Sequence, residues 1–154
     1  MKYSKVKAMN DILCDSLSCM QAELFKMSVK LKINSDSFIK SFMNSDIARH
    51  LDSSFDHLQW AGKEYIMESI LDELHEKLTF NHDTYDLDTM EWIGYVYRYW
   101  HFYTGESSKQ IYRQAPSRIM QRVYPAYHTM DVTLAIDRLK EDYMEQKEKV
   151  QANH

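Results

Sequence analysis

A chain of 154 residues is the size of one domain and can bury a substantial core. Its 27% charged and 13% aromatic residues exclude the disordered class. A net charge of −4 excludes a global attraction to nucleic acid or anionic lipid.

No run approaches the roughly 18–20 apolar residues needed to span a bilayer. Asp11 and Asp15 interrupt the only N-terminal stretch that could resemble a signal peptide, so a cytosolic protein is expected. Three glycines and two prolines supply too little turn chemistry for a many-stranded fold. The expected fold is all-α: one domain, 1–154, forming a compact bundle of about six helices. Residues 1–31 are an amphipathic helix or extension and 35–145 the core bundle. Cys14 and Cys19 lie about 140° apart around a helix and cannot pair with each other or share a metal. Both are expected to be reduced.

Residues 5–31 carry an a/d seam: Val6, Leu13, Met20 and Met27 every seven, with Leu17, Leu24 and Leu31 between. Asn10 is its one polar member. The seam packs on its own domain or pairs with a second helix. Val29, Leu31 and Ile33 alternate with lysines, which allows a short strand, but one with no partner strand. Ser35 or Ser37 can cap a helix from Phe38 to about Leu51. Phe55, Leu58, Trp60 and Ala61 open another, running through Leu78 and ending near Thr79.

Residues 89–103 are the predicted centre of the bundle. Seven of the fourteen residues Met90–Tyr103 are aromatic. Trp92, Tyr95, Val96, Tyr99 and Tyr103 fall on one helical face; Ile93, Tyr97 and Trp100 fall on a second. A helix apolar on most sides has to be covered on most sides, and each buried tyrosine hydroxyl needs a partner. Asp88 and Glu91 form a capping-box pattern at its start. Gly94 is placed to admit another backbone or ring, and Gly105 suits a left-handed C-terminal position. Ser107 and Gln110 make a second capping box, for a helix to about Gln114. Pro116 suits the first turn of the next helix, which Pro125 ends or kinks. Asp131 caps the last helix, expected to fray beyond Tyr143.

The charge pattern points to a surface. From Ser107 to Met130 there is no acidic residue, while Lys109, Arg113, Arg118, Arg122 and His128 fall there. Lys109 and Arg113 share a helix face, as do Arg118 and Arg122. Such a face attracts an acidic protein, a phosphate or nucleic acid. The bland alternative is a solvated face paired with Glu64, Glu68 or Asp137. His101 and His128 are candidate general bases if a carboxylate orients them, with Glu91 on the His101 helix and Asp131 near His128 in sequence. No nucleophile, HExxH pattern or glycine-rich phosphate loop accompanies them. No metal, cofactor or catalytic residue is therefore assigned. Residues 107–114 and 117–123 could imitate a helix-turn-helix, although a dedicated DNA binder carries a stronger basic excess.

The run YVYRYWHFYTG, the helix opened by SSKQIY, the segment ending VYPAYHTMD and then AIDRL together resemble small helical proteins of bacterial toxin–antitoxin gene sets. The resemblance spans Trp92 to Leu139. It implies a non-enzymatic protein that binds another protein, a toxin, and it marks the aromatic face and Tyr127-His128-Thr129 as contacts. The expected function is thus a protein-interaction module, antitoxin-like, binding an acidic-surfaced partner through Tyr99, Tyr103, Lys109, Arg113, Arg118, Arg122, Tyr127 and His128. A homo-oligomer through the N-terminal helix is a further possibility. A helical DNA-binding regulator is the first alternative. An enzyme using His101 or His128 is the second.

Overall fold

The computed structural model describes residues 2–53 and 61–153, with side chains from residue 11 onward. Phe55, His57, Leu58 and Trp60, and the side chains of Val6 and Asn10, lie outside the described residues. Among the described residues the chain is all-helical: α1 (Lys2–Lys30), α2 (Ser35–Met43), α3 (Asp46–Asp52), α4 (Lys63–Leu74), α5 (Leu87–Thr104), α6 (Ser108–Gln114), α7 (Ser117–Tyr127) and α8 (Val132–Ala152). None of these helices is long and apolar enough to cross a membrane.

Eight helices exceed the expected six or so, partly because the Phe38–Leu51 run divides. Ser45 accepts a hydrogen bond from the Ala48 N–H at 3.0 Å and so starts α3 afresh. The carboxylate of Glu73, on α4, accepts from the N–H groups of Asp46 and Ile47 at 2.9 and 3.2 Å. Two bare amides at a positive helix end thus gain an anion. Asn34 caps α2, in place of Ser35 or Ser37. The expected strand near Ile33 does not form. Instead the 32–35 turn exchanges backbone hydrogen bonds with 79–83, from Asn34 N–H to Thr79 O at 2.6 Å and from Ser35 N–H to Asp83 O at 3.1 Å.

The later boundaries follow the sequence more closely. Ser107 and Gln110 make the full reciprocal capping box. Gly105 is left-handed at φ 79°, and Asp131 caps α8 through the Thr133 N–H. The Asp88–Glu91 box does not form, because α5 begins earlier, behind Asp86. Asp88 then sits in the first turn, where its charge complements the helix dipole. Pro116 takes the N-cap of α7, and the helix passes Pro125 to end at Tyr127. α8 does not stop near Tyr143. It continues to Ala152 through Glu, Gln and Lys, strong helix formers with no glycine or proline among them.

α1 lies antiparallel on α5, with Lys26 beside Glu91 and Gln21 beside Gly94 and Arg98. The buried stripe of α1 is Leu17, Ser18, Gln21, Ala22, Leu24, Phe25 and Ser28. The stripe keeps Leu17 and Leu24 of the predicted seam, but Met20 and Met27 are half-buried and Leu31 is 43% exposed. The small residue Ala22 lets the two backbones approach where a larger side chain could not. Gly94 meets this face. A Cβ there would stand 2.8 Å from the Gln21 carbonyl oxygen and 2.9 Å from Phe25. Phe25 in turn packs edge-on against Phe38 and Phe42, with centroids 5.3 and 5.5 Å away.

α5 packs on α1, α6, α7 and α8. Its buried residues include Met90, Ile93, Val96, Tyr97, Arg98 and Trp100. The ring face expected to be fully covered is not: Trp92, Tyr95 and Tyr99 are half-buried and Tyr103 is 46% exposed. Arg98, on neither of the two predicted ring faces, is buried as well.

Replacing Gly94 with Ala should destabilise the protein by about 1–3 kcal/mol through overpacking, despite a helix-propensity gain of about 1 kcal/mol. A lower urea midpoint at unchanged m-value is the expected readout.

Candidate functional site

Arg98 is 1% exposed and forms the hub of a polar cluster. Its Nε donates to Gln21 Oε1 at 2.8 Å, and its Nη1 to Asp52 Oδ1 at 2.7 Å. Nη2 reaches Ser108 Oγ at 3.4 Å. Asp52 also accepts from the backbone N–H and the hydroxyl of Ser108, at 2.9 and 2.8 Å. Burial lowers the guanidinium's pKa, and the Asp52 carboxylate opposes that shift. Gln21 donates onward to the Gly94 carbonyl at 3.1 Å. Four helices, α1, α3, α5 and α6, are thereby joined around one charge.

His101 borders this cluster. Its Nδ1 lies 2.7 Å from the Glu106 carbonyl, which can only accept, so Nδ1 carries the proton. Asp52 stands 3.9 Å from the same nitrogen. The acids expected to orient the two histidines take other roles. Glu91 pairs with Lys26 at 3.5 Å, and Asp131 holds Thr133. His128 Nδ1 likewise donates to a carbonyl, that of Tyr124, at 2.8 Å.

Glu106 anchors a second cluster. It accepts from Trp100 Nε1 at 3.0 Å, and also from Gln114 and Lys140. Burial would raise its pKa, but hydrogen bonds from Lys140, Trp100, Gln114 and Thr104 outweigh that and hold it at about 2. Neither cluster was foreseen. An arginine inside an aromatic helix is itself the signal: a charge on a buried face requires a carboxylate elsewhere.

The eight predicted surface residues do not form one patch. Tyr103 donates to Asp137 of α8 at 3.1 Å, and Tyr99 stacks on Tyr95 at 6.0 Å. Tyr127 donates to Asp142 at 3.1 Å. Lys109, Arg113, Arg118 and Arg122 are exposed. Among the described residues none of these four makes an ion pair within 4.0 Å, with Asp137, Glu64 and Glu68 included. Arg113 and Arg122 flank one groove of roughly 550 Å³, floored by Pro116, Ile119, Val123 and Leu139. Its α8 wall carries Asp142, Glu145 and Lys149. Arg118 faces a different groove, with Asp36, Lys40 and Tyr112. His128 lies apart from both, on a cavity of roughly 380 Å³ that includes Trp92, Tyr95 and Tyr124. The basic island is therefore contiguous in sequence and divided in space. No group of three or more His, Cys, Asp or Glu suited to a metal occurs among the described residues.

Comparison with family models, curated proteins and solved structures finds no match for this chain.

Asp52→Leu leaves a buried guanidinium unpaired and should cost about 3–5 kcal/mol, whereas the Arg98→Met/Asp52→Leu pair should cost far less. Chemical denaturation of the four proteins in this double-mutant cycle measures the difference. Glu106 has a folded pKa below its unfolded value. Its contribution is complete above about pH 4.5 and is lost as pH falls toward 2. Thermal melts between pH 7 and pH 2.5 should therefore show a smaller acid-induced drop for Glu106→Gln than for the wild type.

Proposed function

We propose that this chain is a protein-interaction module whose α6–α7 face receives an acidic segment of another protein. The observation that carries the reading is the pair of bare cations, Arg113 and Arg122, that share one groove. Lys109, Arg113, Arg118 and Arg122 are exposed and free of ion pairs among the described residues. A chain with 23 acidic residues has ample means to neutralise them internally. The groove between Arg113 and Arg122 adds an apolar floor to the charge, the combination on which side chains anchor at protein interfaces. Asp142 and Glu145 on its far wall repel acids placed there, and so set the register of an incoming segment.

The more specific form of the proposal is an antitoxin-like role, with a toxin as partner. The resemblance over Trp92–Leu139 supports it. In that reading α5 is the central frame on which the binding helices are mounted. The second reading, a DNA-binding regulator, draws on Arg118 and Arg122 standing exposed on α7, one short turn after α6.

Affinity capture from the native host, with the wild type and with Arg113→Glu/Arg122→Glu, tests the proposal. The wild type should recover a protein with an acidic surface. That protein, once purified, should bind the double variant at least about ten-fold more weakly, with the difference shrinking at high salt. Equal binding by both chains overturns the proposal. So does tight, salt-sensitive binding of a defined DNA duplex that Arg118→Ala/Arg122→Ala abolishes.

A further inference from the structure

The cavity between α1, the first turns of α5 and the end of α7 belongs to neither polar cluster and not to the basic groove. Its walls are Trp92, Tyr95, Tyr124, His128 and Ala22, and its rim carries Glu23, Asp88 and Glu91. Trp92 and Tyr124 meet edge to face with centroids 5.7 Å apart and an interplanar angle of 70°. His128 stacks on Tyr124 at 4.5 Å, which holds the Tyr124 ring in place. The indole of Trp92 and the ring of Tyr124 therefore stand at an angle to one another, with Tyr95 from the same face of α5 beside them.

An angled set of aromatic rings with carboxylates at its mouth suits one chemistry. Ring faces carry negative quadrupole and attract cations, Trp most strongly. Carboxylates nearby supply the net charge that rings lack. Bare ammonium is strongly hydrated and wants hydrogen-bond acceptors on all sides, which this cavity lacks on its aromatic walls. An alkylated ammonium has methyl groups to bury against rings and a diffuse charge that carboxylates can balance from a distance. Lys26 lies 3.6 Å from Glu23 and 3.5 Å from Glu91, and Lys63 lies 3.7 Å from Glu23. Asp88 has no such cation among the described residues, so the rim keeps a net negative charge. The local field registers on other groups: after burial, Asp88, Asp86 and Glu91 raise the Tyr124 pKa, and Asp15, Glu23 and Glu91 raise that of the Cys19 thiol. The volume of roughly 380 Å³ falls within the range of small-molecule pockets.

We infer that the Trp92–Tyr95–Tyr124 cavity, with Asp88 and Glu91 at its rim, is a binding site for a small organic cation of the alkylated-ammonium class. The inference stands independently of the α6–α7 surface, because it uses neither those arginines nor that groove.

Calorimetric titration of the full chain with choline, and with its neutral carbon isostere 3,3-dimethylbutan-1-ol, tests it. Choline should bind at least about ten-fold more tightly than the isostere, since both fill the same space and only one is attracted to ring faces and carboxylates. Trp92→Leu should weaken choline by at least about ten-fold. Asp88→Asn, at an exposed position that does not threaten folding, should weaken it several-fold and reduce its salt dependence. A peptide carrying trimethyl-lysine forms a second arm. Tighter binding of choline than of the peptide supports a free ligand. Binding of the peptide alone overturns the small-molecule assignment. Equal affinity for choline and its isostere, no binding of choline, or unchanged choline binding by Asp88→Asn also overturns it.

Discussion

A guanidinium with no access to water organises this fold. Arg98 can remain charged inside the bundle only if its donors are met, because an unmatched ion in a low-dielectric interior costs more than a small domain can offset. Asp52 supplies the opposite charge from α3, Gln21 a carbonyl from α1, and Ser108 a hydroxyl at the first residue of α6. The same Asp52 carboxylate accepts from the Ser108 amide, and so also serves the N-terminus of α6. Apolar burial drives these helices together but has no direction. The planar fork of arginine does have direction, so the cluster restricts how α1, α3 and α6 are placed against α5.

The tyrosines extend the same logic toward the surface. Four donate to aspartates on other elements: Tyr85 to Asp36, Tyr95 to Asp15, Tyr103 to Asp137 and Tyr127 to Asp142. For Tyr85, Tyr95 and Tyr127, burial is the largest cause of a raised pKa, with the aspartate adding to it; for Tyr103 the Asp137 hydrogen bond comes first. Each hydroxyl therefore keeps its proton and remains a donor through the neutral range. The ring packs on the helical surface while the phenol reaches an acid at the edge. This explains why α5 can be ring-rich without being sheathed, and where part of the chain's acidic excess is used.

Local signals were legible where they are self-contained. The Ser107–Gln110 box, the Asp131 cap and the left-handed Gly105 each depend on a few adjacent residues, and all three form. Gly94 was also readable, because a glycine among bulky neighbours implies a close approach; the structure supplies Gln21, Ala22 and Phe25 as what approaches. Signals that need the third dimension failed. The α1 seam was read by apolar identity; Leu17 and Leu24 are buried accordingly, but Gln21 and Ala22 are buried beside them where Gly94 admits the α1 backbone. The break at Asn44-Ser45 depends in part on Glu73, which lies on another helix. The island from Lys109 to His128 is continuous in sequence. Its residues diverge because Arg113 of α6 and Arg122 of α7 line one groove, Arg118 of α7 lines another, and His128, just past the end of α7, lies on the aromatic cavity. The partners of Arg98 and Glu106 lie on other elements and could be required by the sequence but not located by it.

The division of charge along α7 bears on how the two candidate surfaces relate. Arg118 and Arg122 occupy its first half, while Tyr124 and, just past its end, His128 turn toward the acidic rim at the start of α5. From Arg122, on the groove, to His128, on the cavity, the helical rise is about 9 Å, close to a Debye length of about 8 Å at physiological ionic strength. A cation at the aromatic cavity and an acidic segment at the Arg113–Arg122 groove are therefore partly screened from one another. What they share is mechanical. Tyr124 is the ring that meets Trp92, and Val123, its neighbour, forms part of the groove floor. Occupancy of the cavity would hold the C-terminal turn of α7 against α5, and the groove would inherit that rigidity through adjacent residues rather than through charge.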